Sequence, residues 1–278
     1  MRLLMLPRYG PLGASSRLRL YQYVPALQAA GLQVEVAPLL DDGYVRGLYS
    51  GHVPVGSVLR GYWQRFRNTR ALQCYDAVWL EKESWPWLPA WLERALLRND
   101  AGLVVDYDDA VFHRYDQHRS GVVRALLGRK IDAVMRRADL VTAGNDYLAE
   151  RARSAGCHRV EWVPTVIDLQ RYPAPQPREA TGPVVVGWMG SPSTAGYLHQ
   201  VADALRPLQA AGLIRCVAVG ARPDQVAGTP FESRGWRADT EVAQLQGFDI
   251  GIMPLPDEPW ERGKCGYKLI QYMACGLP

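Results

Sequence analysis

The chain has 278 residues, 48% of them hydrophobic, and a formal net charge of +4. That is enough for one large domain or two smaller ones, and the charge is too mild to argue for nucleic acid as a partner. Its five cysteines (Cys74, Cys157, Cys216, Cys265, Cys275) are scattered and form no Cys-x-x-Cys pair, so they indicate neither a disulfide framework nor a zinc site and fit a reducing cytosol. No apolar run approaches the ~20 residues of a membrane span.

Residues 1–8 are too short before their Pro-Arg to be a signal peptide and read as a first buried strand over 3–6. A Gly/Ser loop over 9–16 follows, then a helix over 17–30. Further strands are expected at 33–38, 76–80, 103–106, 139–143 and 159–163, with helices over 122–137 and 146–154 in the crossovers. This alternation predicts an α/β fold, a parallel sheet with helices on both faces. Residues 172–183 hold four prolines and no apolar periodicity, and read as a linker. The alternation restarts with strands at 184–188, 215–219 and 248–253, and with a helix running from the turn at 190–194 through Leu205. The expected organisation is a Rossmann-like lobe over 1–171, a linker over 172–183 and a second Rossmann-like lobe over 184–278. A cleft is expected between the lobes at the strand carboxyl ends.

Several constellations carry chemistry. Only four residues are lysine, against 28 arginines. Two of them, Lys264 and Lys268, fall four apart at a glycine-punctuated helix start. A compact ammonium there suits an anion held at a helix N-terminus. The turn at Gly190 and Ser191, with Pro192 next, reads as a diphosphate cradle or as an ordinary βα turn. Asp106, Asp108 and Asp109 crowd one strand end and would repel unless they bind something; the alternative is helix capping. The loop with Gly13, Ser15 and Ser16 is able to cover a phosphate with backbone amides, and either serine also suits an N-cap. Residues 60–70 mix arginines with aromatics, which fits either an interfacial helix reaching acidic lipid headgroups or a solvated helix with core aromatics. The Trp-rich stretch 85–91 reads as packing at a domain edge.

The last stretch, 262–278, with its loop, apolar helix and Gly-x-Pro ending, resembles the nucleotide-sugar segment of the retaining GT-B glycosyltransferases of family four. Residues 142–148, 163–168 and 249–255 fit the same family. The resemblance implies the GT-B fold and transfer of a sugar, of hexosyl or deoxyhexosyl type, from a nucleoside diphosphate sugar to an acceptor hydroxyl with retention. It implies a role in cell-surface polysaccharide or glycolipid assembly, with a glycan or lipid-linked acceptor. No cofactor and no nucleic-acid partner are expected. The expected location is cytoplasmic, peripheral to the inner face of the membrane. It further implies that a C-terminal part of the second lobe is missing.

By the same resemblance, Gly190, Ser191, Lys264 and Lys268 hold the donor diphosphate. Asp108 or Asp109, or else His113, stands where the family carries a catalytic His. Both of the family's helix carboxylates are absent, with Gly263 and Gln271 at their positions; Glu261 and Gln271 are the stand-ins for donor sugar and ribose contacts. If the helix extended back to Lys264, then Lys264, Lys268 and Gln271 would share one face. The Asp-x-Asp-Asp run also resembles a divalent-metal motif, but the two lysines make a metal redundant and none is expected. The rivals are a catalytically weak binding subunit or fragment, and a sugar-nucleotide epimerase of the same fold.

Overall fold

A computed structural model describes residues 1–52, 54–97, 101–173 and 182–278. The chain divides into two compact units. The first comprises Met1–Val45, Pro54–Thr165 and Asp257–Cys265; the second comprises Arg46–Val53, Val166–Pro256 and Gly266–Pro278. Residues 257–265, which fall in the second half of the sequence, thus pack with the first unit. Residues 174–181 of the expected linker lie outside the described residues.

Among the described residues the first unit carries six parallel strands: β1 (Arg2–Leu6), β2 (Gln33–Val36), β3 (Ala77–Glu81), β4 (Gly102–Tyr107), β5 (Leu140–Ala143) and β6 (Val160–Trp162). Their order is β2-β1-β3-β4-β5-β6. The apolar runs dictate this arrangement, because Leu4, Leu6, Leu80, Val105 and Val141 are buried in one core. The chain leaves β1 toward β2 and returns to place β3 on its other side. That makes the β1/β3 boundary the switch point, where open α/β sheets hold ligands at strand carboxyl ends.

The second unit carries β7 (Val184–Met189), β8 (Ile214–Val219), β9 (Phe231–Arg234) and β10 (Ile250–Gly251), in the order β10-β7-β8-β9. Its switch point is β7/β10. Gly187 and Gly251 are close-approach glycines: a Cβ would lie 2.1 Å from the Phe248 ring and 2.3 Å from the Tyr272 ring respectively. The helix Tyr267–Ala274 therefore sits tightly on β10.

Two expected helices are broken. The 17–30 helix is instead Ala14–Arg19, a 3-10 turn Tyr21–Tyr23 and Val24–Ala29. Pro25, lacking an N–H, is tolerated only because a new helix starts there. The 122–137 helix divides into Gly121–Leu127 and Lys130–Arg137. The turn at 190–194 opens not an α-helix but a 3-10 segment, Pro192–Leu198; the α-helix is His199–Ala210. Of the three tryptophans in the Trp-rich stretch Trp85 is buried, while Trp87 and Trp91 are exposed.

The long helix Val55–Arg70 is locked in rotation. A Cβ on Gly61 would lie 1.9 Å from the Leu39 carbonyl oxygen, and the Arg65 Nη2 donates to the Pro7 carbonyl at 2.7 Å. Burial pushes the Arg65 guanidinium down to about 10. Gly61→Ala is expected to lower stability by about 1–3 kcal/mol, since backbone cannot yield as a side chain does. That outweighs the gain of about 1 kcal/mol in helix propensity. Thermal melting checks it: an unchanged or higher midpoint would mean the helix is free to shift.

Candidate functional site

In the first unit the polar chemistry gathers at the β1/β3 switch point. Gly13 opens the helix Ala14–Arg19 because the chain passes too close to Tyr9 for a side chain: a Cβ would lie 2.4 Å from the Tyr9 Cβ. This brings Ser15 and Ser16 over the end of β3. The Ser16 Oγ accepts from the Tyr9 N–H (3.0 Å) and donates to Glu81 Oε2 (2.5 Å). The Ser15 Oγ lies 2.7 Å from both Glu81 Oε1 and Asp108 Oδ2, and accepts from Lys82 Nζ at 3.1 Å. Neither serine is an N-cap; both hydroxyls serve this cluster.

Lys82 is the centre of it. Its backbone is left-handed, with φ of 65°, a costly conformation for a side chain of this size. That twist turns the ammonium inward, 2.7 Å from Asp108 Oδ1 and 3.2 Å from Asp109 Oδ2. Lys264 closes the other side, 2.6 Å from Asp109 Oδ1. Burial alone would lower the Lys82 ammonium, but Asp108, Asp109 and Glu81 outweigh it and hold it above its ordinary range. Burial would raise the Asp109 carboxyl, but Lys82 and Lys264 pull it down to about 2. Three carboxylates (Glu81, Asp108, Asp109) meet two ammoniums, and Asp108 and Asp109 keep part of their surface in solvent.

Asp106 does not join them. It is buried under a two-pronged pair with Arg19 (2.6 and 2.9 Å) and accepts from Thr142 Oγ1 at 2.6 Å. Its carboxylate is taken up by Arg19 and Thr142, whereas Asp108 and Asp109 pair with the lysines. His113 is committed as well: Nδ1 lies 2.8 Å from Asp116 and Nε2 2.8 Å from the Tyr147 hydroxyl. Both ring nitrogens thus have side-chain partners within the unit. Glu261 is buried in this unit too.

A second buried network adjoins through Glu83. Lys130, wholly buried, lies 2.7 Å from Glu83 and 3.1 Å from Glu93, and Arg8 lies 3.2 Å from Glu83. Two of the four lysines, Lys82 and Lys130, thus sit in buried carboxylate nests.

In the second unit the β7/β10 switch point holds Gly190, the residue after β7. A Cβ there would lie 2.5 Å from the Trp188 ring and 2.7 Å from the Lys268 Cε. Lys268 stands in the first turn of the helix Tyr267–Ala274, its ammonium 5.4 Å from the centre of the Trp188 ring. Ser191 caps the 3-10 segment by position, and its Oγ lies 2.7 Å from that of Ser193.

The expected shared face of Lys264, Lys268 and Gln271 is not formed. Gly266, left-handed at φ 67°, is the N-cap, so the helix starts after Lys264. Lys264 belongs to the first unit and pairs with Asp109; Lys268 belongs to the second and lies beside Gly190. Gln271 turns inward, donating to Tyr172 Oη at 3.0 Å and Glu241 Oε1 at 2.6 Å.

The sequence reading passed over Glu81, Lys82 and Glu241. The signal for Lys82 was the same lysine scarcity that singled out Lys264 and Lys268, together with its place just after an apolar strand.

No family model matches the chain, and no curated protein matches it in sequence. Solved structures do. An α-glucosyltransferase in complex with UDP and a 13-mer DNA containing a HMU base aligns with 100% of this chain and 78% of its own, at TM-score 0.63 and 14% identity. The UDP-GlcNAc 2-epimerase of Methanocaldococcus jannaschii aligns with 100% of this chain and 82% of its own, at TM-score 0.54 and 8% identity. MnaA of S. aureus, solved with UDP, aligns with 96% of this chain and 77% of its own, at TM-score 0.55 and 11% identity. The likeness is one of fold: two Rossmann-like parallel-sheet units, the GT-B fold.

Proposed function

We propose that the chain is a glycosyltransferase that moves a sugar from a nucleoside diphosphate sugar to an acceptor hydroxyl. The observation that carries this reading is the pairing of Lys268 with the Gly190 turn at the switch point of the second sheet. Glycine there lets an anion approach the backbone beside the start of the helix and the Lys268 ammonium. The solved relatives bound to UDP support the same ligand class. Lys268 and the amides near Gly190 stabilise the departing diphosphate, where most of the charge develops. Asp108 and Asp109, fixed by Lys82, Ser15 and Lys264, receive the hydroxyls of the reacting sugars.

The finer reading is a retaining enzyme of family four, transferring a hexosyl or deoxyhexosyl group. In this reading, as the resemblance implies, attack comes from the front face and the leaving phosphate takes the acceptor proton. A glycan or lipid-linked acceptor and a cytoplasmic location complete it. Five free thiols fit a reducing compartment, and no helix among the described residues is long and apolar enough to cross a membrane.

Metal independence belongs to this proposal, because ammoniums already occupy the positions around Asp108 and Asp109 that a divalent ion would take. Turnover of a nucleotide-sugar panel with acceptor is expected to survive EDTA. Loss in EDTA with recovery on Mg²⁺ or Mn²⁺ would refute this. The epimerase rival rests on the shared fold, and the same assay separates it: an epimerised nucleotide sugar formed without acceptor would establish the rival instead.

A further inference from the structure

We infer that the outer face of the helix Val55–Arg70, together with the neighbouring Trp87, docks the protein on an anionic lipid bilayer surface. Val55, Leu59 and Trp63 recur every four residues and are 66, 68 and 63% exposed, an apolar stripe about 12 Å long. The stripe has no inward alternative. Gly61 against Leu39, and Arg65 on the Pro7 carbonyl, fix which face is buried.

The charge on this helix points to one occupant. Its 16 residues contain four arginines and no aspartate or glutamate, and Arg60, Arg67 and Arg70 are exposed. The wider sequence from Gly43 to Tyr75 holds no acidic residue at all. Glu35, which lines a groove with Arg67, is engaged by the Tyr75 hydroxyl at 2.5 Å. Apolar side chains with tryptophan, on a helix whose own charges are all cationic, match an acidic headgroup layer over an acyl boundary.

Trp87 adds an independent observation. It is 49% exposed and left-handed, with φ of 64°. A bulky residue held in that conformation marks a position where function outweighs strain. It adjoins the helix, since the Tyr62 hydroxyl donates to the Pro86 carbonyl at 2.8 Å. On its other side Trp87 meets the His118 ring at 5.8 Å. His118 leads into the helix Gly121–Leu127, which exposes Val122 and Leu126 and likewise carries no acid.

The test is co-sedimentation of the full chain with vesicles of phosphatidylcholine alone or mixed with phosphatidylglycerol, at low and high salt. The chain is expected to bind the anionic vesicles and to leave them at high salt. Leu59→Ser with Trp63→Ser should lower partitioning at least about tenfold. Arg60→Gln and Arg67→Gln should each lower it about fivefold and flatten the salt dependence. All four positions are exposed, so melting midpoints should not move. Three results would overturn the proposal: equal binding to neutral and anionic vesicles, variants that bind like the wild type, or a concentration-dependent dimer dispersed by Leu59→Ser, which would make a second copy the occupant. Binding of UDP in lipid-free solution is measured separately, so failure here is distinguishable from failure of the transferase reading.

Discussion

Lys82→Met is expected to destabilise the protein by about 3–5 kcal/mol, the range for removing one partner of a buried ion pair. Glu81, Asp108 and Asp109 would be left with Lys264 as their remaining lysine partner, itself partly in solvent. The pH dependence follows from the two shifts. Lys82 is raised, so its contribution is fully present below its ordinary value of 10.5 and is lost only as pH climbs through a still higher folded value. Asp109 is lowered to about 2, so its contribution is present above its ordinary value of 3.8 and is lost as pH falls toward 2. Between these limits the contributions of Lys82 and Asp109 do not change with pH. In the variant Asp109 keeps only Lys264 of its two cations and protonates more readily, so the gap in melting midpoint should narrow in acid. Lys82→Gly removes the same charge but relieves the left-handed backbone, and should be about 1–2 kcal/mol less damaging than methionine. Turnover should fall about a hundredfold or more in both, because Asp108 and Asp109 lose their positioning. Melting curves across pH, with initial rates, decide it. A variant with normal stability and normal rates would reduce the cluster to a surface ion pair.

Lys268→Ala is expected to weaken nucleoside diphosphate binding about ten- to a hundredfold, corresponding to about 1.5–3 kcal/mol for a charge-assisted contact to phosphate. Turnover should fall at least as far, because the same contact strengthens as the leaving group gains charge. Stability should change by no more than about 1 kcal/mol, the contribution of a cation over an aromatic face. Lys264→Ala is the informative contrast. Its ammonium is committed to Asp109, so its loss should reduce turnover more than diphosphate affinity. Calorimetric titration of wild type and both variants with several nucleoside diphosphates separates the two roles. Equal affinity in wild type and Lys268→Ala would remove Lys268 from the donor site.

The two parallel sheets were legible because their strands are apolar runs of the right length, each followed by helical periodicity. Strand β9 was not, since Phe231–Arg234 holds a single apolar side chain and is recognised only by its pairing with β8. The helix breaks fall at Leu20, before Pro25 starts the next helix, and at Arg129, just after Gly128, where a Cβ would meet the Arg124 carbonyl at 2.4 Å. Within the candidate site, lysine scarcity singled out Lys264 and Lys268 but said nothing of their partners. Helical periodicity placed Lys264 with Lys268, and one left-handed glycine at 266 separates them. Gln271 and Asp106 show the complementary limit. A polar residue at a motif position reads as a ligand contact, and only the packed structure shows that Glu241 and Arg19 have already claimed it.

The three-segment make-up of the first unit bears on how the protein is born. Asp109 and its partner Lys264 are 155 positions apart in the chain. During synthesis the six strands of the first sheet emerge early, and their core is free to condense at once. Lys264 follows only after most of the second unit has left the ribosome. Until then Glu81, Asp108 and Asp109 are held by Lys82 alone among the lysines of the cluster, with their charges unbalanced. The strands of the first sheet are therefore all present before Lys264 is, and the Lys264–Asp109 pair closes across 155 positions. A piece of the chain ending before residue 257 would retain the sheet and lack that final cation.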